Sequence, residues 1–260
     1  MTEKYTIDDI KEILKQDFVD EQLIEQLKLD SRVGVEKLVK QYENKIQKQY
    51  DELQNFITMS VYENELRYSG VELIAGVDEV GRGPLAGPVF AATVILPTDC
   101  WLFGIDDSKK LSASKRLYFY EKIKKSAIGI GIGMCTSQEI DEHNIYQATQ
   151  IAMERAIADL KCVPEHLLLD AMELPRISIP QTSIIKGDSQ SVSIAAASII
   201  AKVTRDAYME QLSKKHPQYG FERHVGYGTK EHLQAIDTHG VISEHRRSFE
   251  PIKAKTKGRE

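Results

Sequence analysis

The sequence is poor in cysteine. Cys100, Cys135 and Cys162 are scattered, odd in number and free of C-x-x-C spacing. That pattern argues against a disulfide framework and a structural zinc site, and it suits a reducing cytoplasm. There is no run of eighteen apolar residues, so no membrane-spanning helix is expected. The opening MTEKYTIDDI lacks the apolar core of a secretion signal. Basic charge is not in excess either: the net charge is -5, whereas nucleic-acid binders tend to be basic. The acid is unevenly spread. Residues 1–70 hold 10 Lys/Arg and 15 Asp/Glu, which leaves 24 of each in 71–260. Any phosphate-binding surface is therefore a local patch. The tail from Ser243, with Arg246, Arg247, Lys253, Lys255, Lys257 and Arg259, is one basic stretch.

Residues 1–70 read as helix. Ile7, Ile10, Leu14 and Phe18 recur at spacings of three and four, and Leu38, Tyr42, Ile46 and Tyr50 at four. Thr6 and Asp30-Ser31 are helix starts. Composition changes at Tyr68-Ser69-Gly70, which sets the expected boundary between a small helical N-terminal domain (1–70) and a second domain (71–260). There the period changes. Leu73–Asp78 is a short apolar run ending in carboxylates. A Gly/Pro-rich turn, Gly81–Pro88, leads to Val89–Leu96, and so short a connection predicts antiparallel pairing. A helix over 114–125, a strand over 127–136 and a long helix over 137–161 follow. Next come strands at His166–Asp170 and near 183–186, an Ala-rich helix over 191–213 and a final helix over 230–238. Strands interleaved with amphipathic helices predict an α/β fold: a mixed sheet, its first three strands antiparallel, with helices on its faces and a helical C-terminal region.

The chemistry lies in carboxylates at strand ends. Asp78 and Glu79 follow the first strand, Asp170 ends HLLLD, and Asp188 opens the Ala-rich helix. Acids held near an apolar core without basic neighbours repel one another, and divalent cations relieve that repulsion. Mg²⁺ and Mn²⁺ favour oxygen ligands, and a pair of them serves phosphodiester hydrolysis. Taken singly, Asp78 and Asp188 also suit turn or cap positions.

Two rival readings fail. Gly76–Gly83 approaches a phosphate loop, but Arg82 replaces its Lys, Gly83 replaces its Ser/Thr, and two acids stand inside it. Gly129, Gly131 and Gly133 lie within a strand, where a dinucleotide fingerprint would follow one; close packing is the better account. His224, His232, His239 and His245 show no zinc spacing, which leaves packing or surface roles.

The stretch IAGVDEVGRGPLAGPVF (74–90) resembles the opening motif of ribonuclease HII, in the type 2 ribonuclease H family. Further matches follow in order: Asp107–Ser112, Leu169-Asp170, Lys186-Gly187-Asp188, Ser193–Asp206, Gly226–Thr229 and His245–Phe249. The similarity covers about residues 71–253. It implies an RNase H-like fold in which Asp78, Glu79, Asp170 and a more peripheral Asp188 bind Mn²⁺ or Mg²⁺. It implies that Gly81, Arg82 and Gly83 read a ribose 2′-hydroxyl, the group that separates RNA from DNA. It also implies that Tyr227 stacks on the next sugar, where a second 2′-hydroxyl would collide with the ring. The expected substrates are RNA/DNA hybrids and duplex DNA with embedded ribonucleotides, cut 5′ of the ribonucleotide to leave 3′-hydroxyl and 5′-phosphate. Lys109 matches within its motif as a phosphate contact, and Lys110, Lys115 and Arg116 are further candidates. A cytoplasmic monomer is expected, with the role of residues 1–70 open. The alternatives are a ribonuclease HIII-like hybrid nuclease, which lacks the Gly-Arg-Gly triplet, and a non-catalytic nucleic-acid-binding module.

Overall fold

The computed structural model describes residues 5–16 and 18–257, so Arg259 of the basic tail lies outside the described residues, as does the Lys257 side chain. The chain divides into two compact units, 1–55 and 56–260. In the first, α1 (Ile7–Ile13) and α2 (Glu21–Lys28) precede α3 (Val33–Met59), which continues into the second. Thr6 opens α1 with a capping box: its hydroxyl accepts from the Asp9 amide, and the Asp9 carboxylate accepts from the Thr6 amide. Ile10, Leu14, Ile24, Leu27, Val35 and Val39 are buried together. The expected apolar stripes are shorter in fact. Helix α1 stops at Ile13, leaving Phe18 exposed, and Ile46 and Tyr50 also face solvent. Spacing marks a helix but not which of its turns finds a partner.

The units divide ahead of the boundary expected from composition. Phe56 and Met59 join the core of the second unit, and α4 (Val61–Tyr68) buries Glu63 there. The sheet contains β1 (Ile74–Val80), β2 (Val89–Ile95), β3 (Gly129–Cys135), β4 (His166–Asp170) and β5 (Gln181–Ile184), in the order β3-β2-β1-β4-β5. The first three strands are antiparallel, and β1, β4 and β5 are parallel. Helix α5 (Ala113–Ser126) links β2 to β3, α6 (Ser137–Ala158) links β3 to β4, and α7 (Val192–Lys215) follows β5. The C-terminal region is α8 (Phe221–His224), α9 (Lys230–His239) and α10 (Ile252–Lys257), of which only α9 was anticipated from sequence. The long helix expected over 137–161 is two helices joined at Asn144, whose φ of 64° and ψ of 163° are not helical.

Strand alternation sorts the core into layers. Ala75, Val77, Ala91, Ile95, Leu167 and Leu169 pack against α6, while Ala92 and Val94 pack with α5 and α7. The helices come close because glycines open the sheet. A Cβ on Gly76 would strike the Ser193 main chain of α7, and one on Gly133 would strike the Ala152 carbonyl of α6. Ser191 caps α7, its hydroxyl accepting from the Ile194 amide at 3.2 Å. Glu63 reinforces that cap, accepting from the Ser191 hydroxyl at 2.6 Å and the Ser193 amide at 2.9 Å.

Candidate active site

Register brings the acids together. Strands β1 and β4 run parallel with Val77 opposite Leu169, so Asp78 and Asp170 fall one step further along neighbouring strands. Asp78 shares a sheet face with Gly76, the face that meets α7. Ser198 of α7 hydrogen-bonds the Asp78 carboxylate and lies 2.9 Å, oxygen to oxygen, from Ser108. The Glu79 amide donates to Asp78 at 2.7 Å, and the Gly187 amide to Asp170 at 2.7 Å. One oxygen each of Asp78, Glu79 and Asp170 lies within 4.8 Å of the others. Asp188, in the short turn Gly187–Ser189, is not in that trio. It stands at the edge, with the Lys109 Nζ 4.0 Å from its Oδ2.

Burial and mutual repulsion govern this cluster. Burial drives the Asp78 carboxyl well above the usual carboxylate range, and Glu79 and Asp170 add to the effect. Glu79 is raised by burial and by Asp170, partly offset by Arg82. Burial also raises Asp170, against the Gly187 amide and Lys109. Asp188 is raised by burial, then by Asp107 and Asp170. Burial lowers the affinity of Lys109 for its proton, but Asp107, Asp78, Asp188 and Glu79 outweigh it and raise the pKa. Glu79 Oε2 is buried with no hydrogen-bond partner, an arrangement that costs free energy unless a cation or water fills the gap. An all-oxygen donor set with an orphaned carboxylate oxygen fits a hard divalent cation of the Mg²⁺ or Mn²⁺ kind.

The turn after β1 lies beside this cluster. Arg82 Nη1 is 3.5 Å from Glu79 Oε1. A Cβ on Gly83 would stand 3.5 Å from Cε1 of Tyr227, whose ring is half-exposed. The loop that carries the triplet and the tyrosine from the far end of the sequence therefore meet across a solvent-facing gap. Lys109 and Lys110 flank the acids, Lys110 bonding Asp106 and Ser189. Arg116 is otherwise engaged: it donates to the Ser108 and Leu111 carbonyls and so braces the lysine loop.

The family model described as Ribonuclease HII matches residues 75–252, and that of the Ribonuclease HII N-terminal domain matches residues 6–67. The chain is 56% identical over 252 residues to the ribonuclease HII of Bacillus cereus strain G9842, covering 96% of this chain and 98% of the relative. It is 55% identical over 251 residues to that of Bacillus cytotoxicus, covering 96% of each. The chain belongs to the ribonuclease HII family. Membership makes it an enzyme, a nuclease of the ribonuclease H class. The ribonuclease H2 of Pyrococcus horikoshii OT3 shares its fold, with a TM-score of 0.60 at 24% identity over 71% of this chain and 97% of that one. Among the described residues, no helix is long and apolar enough to cross a membrane.

Sequence reading missed several contributors to this ribonuclease HII site. Asp107 was quoted only within its motif, yet its charge acts on Asp188, Asp170 and Lys109. Arg246 was assigned to a basic tail but is fully buried, as is Arg205. For His224, His232 and His245 the packing role, one of the two that the sequence left open, holds: all three are buried. Asp107, Arg205, His245 and Arg246 lie within quoted motifs, and His224 and His232 do not, but a motif does not show which of its members turn inward.

Proposed function

We propose that this enzyme is an endonuclease that hydrolyses the RNA-containing strand of RNA/DNA hybrids and of duplex DNA with embedded ribonucleotides. It cuts on the 5′ side of the ribonucleotide at the junction and leaves 3′-hydroxyl and 5′-phosphate ends. The observation that carries the reading is the position of the trio Asp78, Glu79 and Asp170 beside a Gly81–Gly83 loop that faces Tyr227. Asp78, Glu79 and Asp170, with Asp188 at the edge, hold Mn²⁺ or Mg²⁺. Such ions supply charge stabilisation to a phosphoryl group and lower the pKa of water.

The protein's own groups do the rest. Lys109 keeps its proton among the acids and meets a phosphate. Gly83 has no side chain to block the approach of a ribose, and Arg82 beside it offers donors to sugar and phosphate oxygens. The Tyr227 ring stacks on the following sugar and leaves no room for a second 2′-hydroxyl. The enzyme acts as a monomer on this reading, and three unpaired cysteines support a cytoplasmic setting.

The test is cleavage of a duplex carrying one ribonucleotide, with an all-DNA duplex and a continuous hybrid beside it, each with Mn²⁺ and with Mg²⁺. Cleavage at the ribonucleotide alone in the first duplex is expected. An intact ribonucleotide duplex in both metals would refute the assignment. Much faster cleavage of the continuous hybrid would favour a ribonuclease HIII-like preference.

A further inference from the structure

The two surfaces assigned above to sugar recognition are held from behind by one connected set of buried side chains. Arg246 donates through Nε to the Gly87 carbonyl at 3.0 Å, through Nη1 to Arg82 at 2.8 Å, and through Nη2 to Gly81 at 2.5 Å and Gly87 at 2.8 Å. Arg205 donates to the carbonyls of Pro88 at 3.0 Å, Ala86 at 3.3 Å and Val225 at 3.0 Å. Both guanidiniums are fully buried, and every acceptor named here is a main-chain carbonyl. Desolvating two charges is expensive, so this arrangement places unusual demands on the loop over 81–88. The main chain adds to the tie. The Arg246 amide donates to Leu85 at 2.9 Å, and the Gly87 amide to Glu244 at 2.8 Å.

The residue before Arg246 continues the connection to Tyr227. His245 Nε2 lies 3.1 Å from His232 Nε2, and His232 Nδ1 lies 2.9 Å from the Tyr227 carbonyl. The Ile242 amide donates to His245 Nδ1 at 3.0 Å. These partners fix the protons. A carbonyl only accepts, so His232 Nδ1 carries hydrogen; an amide only donates, so His245 Nδ1 is bare. With both rings neutral, His245 Nε2 donates to the bare His232 Nε2. His224 stacks on His232 with ring centroids 4.6 Å apart. The circuit runs Gly81, Arg246, His245, His232, Tyr227, and closes where the Tyr227 ring meets Gly83.

We infer that His232, His245 and Arg246 are positioning residues that fix the distance between the Tyr227 ring and the Gly81–Gly83 loop, and so set how strictly the enzyme requires a ribose followed by a deoxyribose. The inference rests on the sugar-reading roles proposed above for that loop and ring. A gap that admits a 2′-hydroxyl on one sugar and rejects it on the next is defined to about an oxygen atom's width. A displacement of roughly 1 Å suffices to blur such a distinction.

The test uses amide substitutions in the full chain. Asn places a nitrogen near the Nδ1 position of histidine, and Gln places one near Nε2. His232→Asn keeps the donor to Tyr227, whereas His232→Gln loses it; His245→Gln keeps the donor to His232, whereas His245→Asn loses it. Each variant is assayed below its unfolding temperature on two Mn²⁺-supported duplexes, one with a single ribonucleotide and one with two consecutive ribonucleotides, with kcat and KM separated. The preference for a deoxyribose after the cut is expected to fall by about tenfold or more, mainly through kcat, in His232→Gln, which loses the Tyr227 link, and in His232→Asn and His245→Asn, which lose the His232–His245 link, and to survive in His245→Gln. Equal behaviour of all four variants overturns the inference, because a purely structural role would not distinguish the two amides. Nitrogen-15 NMR of the native chain provides the second readout, which no folding defect can obscure. It is expected to show His232 protonated on Nδ1 and His245 on Nε2, and the opposite tautomers would overturn the relay. A wild type that shows no junction preference refutes the sugar-reading proposal itself, whichever tautomers are found.

Discussion

Gly81 and Arg205 are packed so closely that a Cβ on Gly81 would run into the guanidinium. Gly81 also adopts a φ of +93°, a left-handed conformation that costs other residues about 1–2 kcal/mol. Gly83, two residues on, has ordinary φ and an open flank beside Tyr227. Two glycines of one triplet therefore differ in setting: the first is required by the loop's shape, and the second leaves the flank beside Tyr227 open.

Gly81→Ala should accordingly destabilise the chain by about 2 kcal/mol or more as well as impair cleavage. Gly83→Ala should leave the unfolding temperature within a degree or two and lower kcat/KM on a single-ribonucleotide duplex by roughly tenfold. Thermal unfolding combined with steady-state kinetics separates the two outcomes.

The carboxylate cluster predicts a trade between stability and activity. Asp78 binds a proton more tightly folded than unfolded, so its ionisation costs stability as the pH rises past its ordinary value. Asp78→Asn should raise the metal-free unfolding temperature by roughly 2–4 °C for each kcal/mol relieved. It should also abolish the upward shift that Mn²⁺ gives the wild type. Cleavage should fall about a thousandfold or more, equivalent to several kcal/mol of lost charge stabilisation. Calorimetric scans with and without Mn²⁺, run beside the activity assay, check all three.

The buried histidines predict an acid limit to stability. Burial, then His232, lowers His245 to about 4 from the usual 6.5, and burial lowers His232 as well. An unfolded chain therefore binds more protons between those values. The stability contributed by neutral His245 is complete above pH 6.5 and is lost as pH falls toward about 4, on the order of 3 kcal/mol in all. Urea unfolding at pH 7.5 and pH 5 should show roughly 2 kcal/mol of this loss, and His245→Gln should flatten the difference.

Glu63 predicts a purely structural effect. Its carboxylate accepts from Ser191 and Ser193 at the start of α7, so Glu63→Ala leaves buried donors unmet and costs about 1–3 kcal/mol. KM and kcat on a single-ribonucleotide duplex should stay at wild-type values at any temperature where the variant is folded.

Much of this was legible from the residues alone. Short apolar runs bounded by glycine, proline and acids placed β1, β2 and β4, and the strand-end acids pointed to one site because short apolar strands stack side by side. Register was not legible. Nothing local in HLLLD says that Leu169 pairs with Val77, yet that pairing is what sets Asp170 beside Asp78. The break at Asn144 was hidden because apolar spacing continues on both sides of it, although its side chain caps the second helix, accepting from the Gln147 amide at 3.2 Å. Arg246 was misread for a related reason: in sequence a buried guanidinium looks like a solvated one, and only the carbonyls of a distant loop show the difference.

The central claim is that acids holding a divalent cation, and not the substrate's own 2′-hydroxyl, drive the cut beside a sugar-reading gap. Analysis of the ends produced from a duplex with one ribonucleotide tests it most directly. The account predicts cleavage that stops when metal is chelated and products with a 3′-hydroxyl upstream and a 5′-phosphate on the ribonucleotide. Cleavage that persists in chelator and leaves a 2′,3′-cyclic phosphate would contradict it.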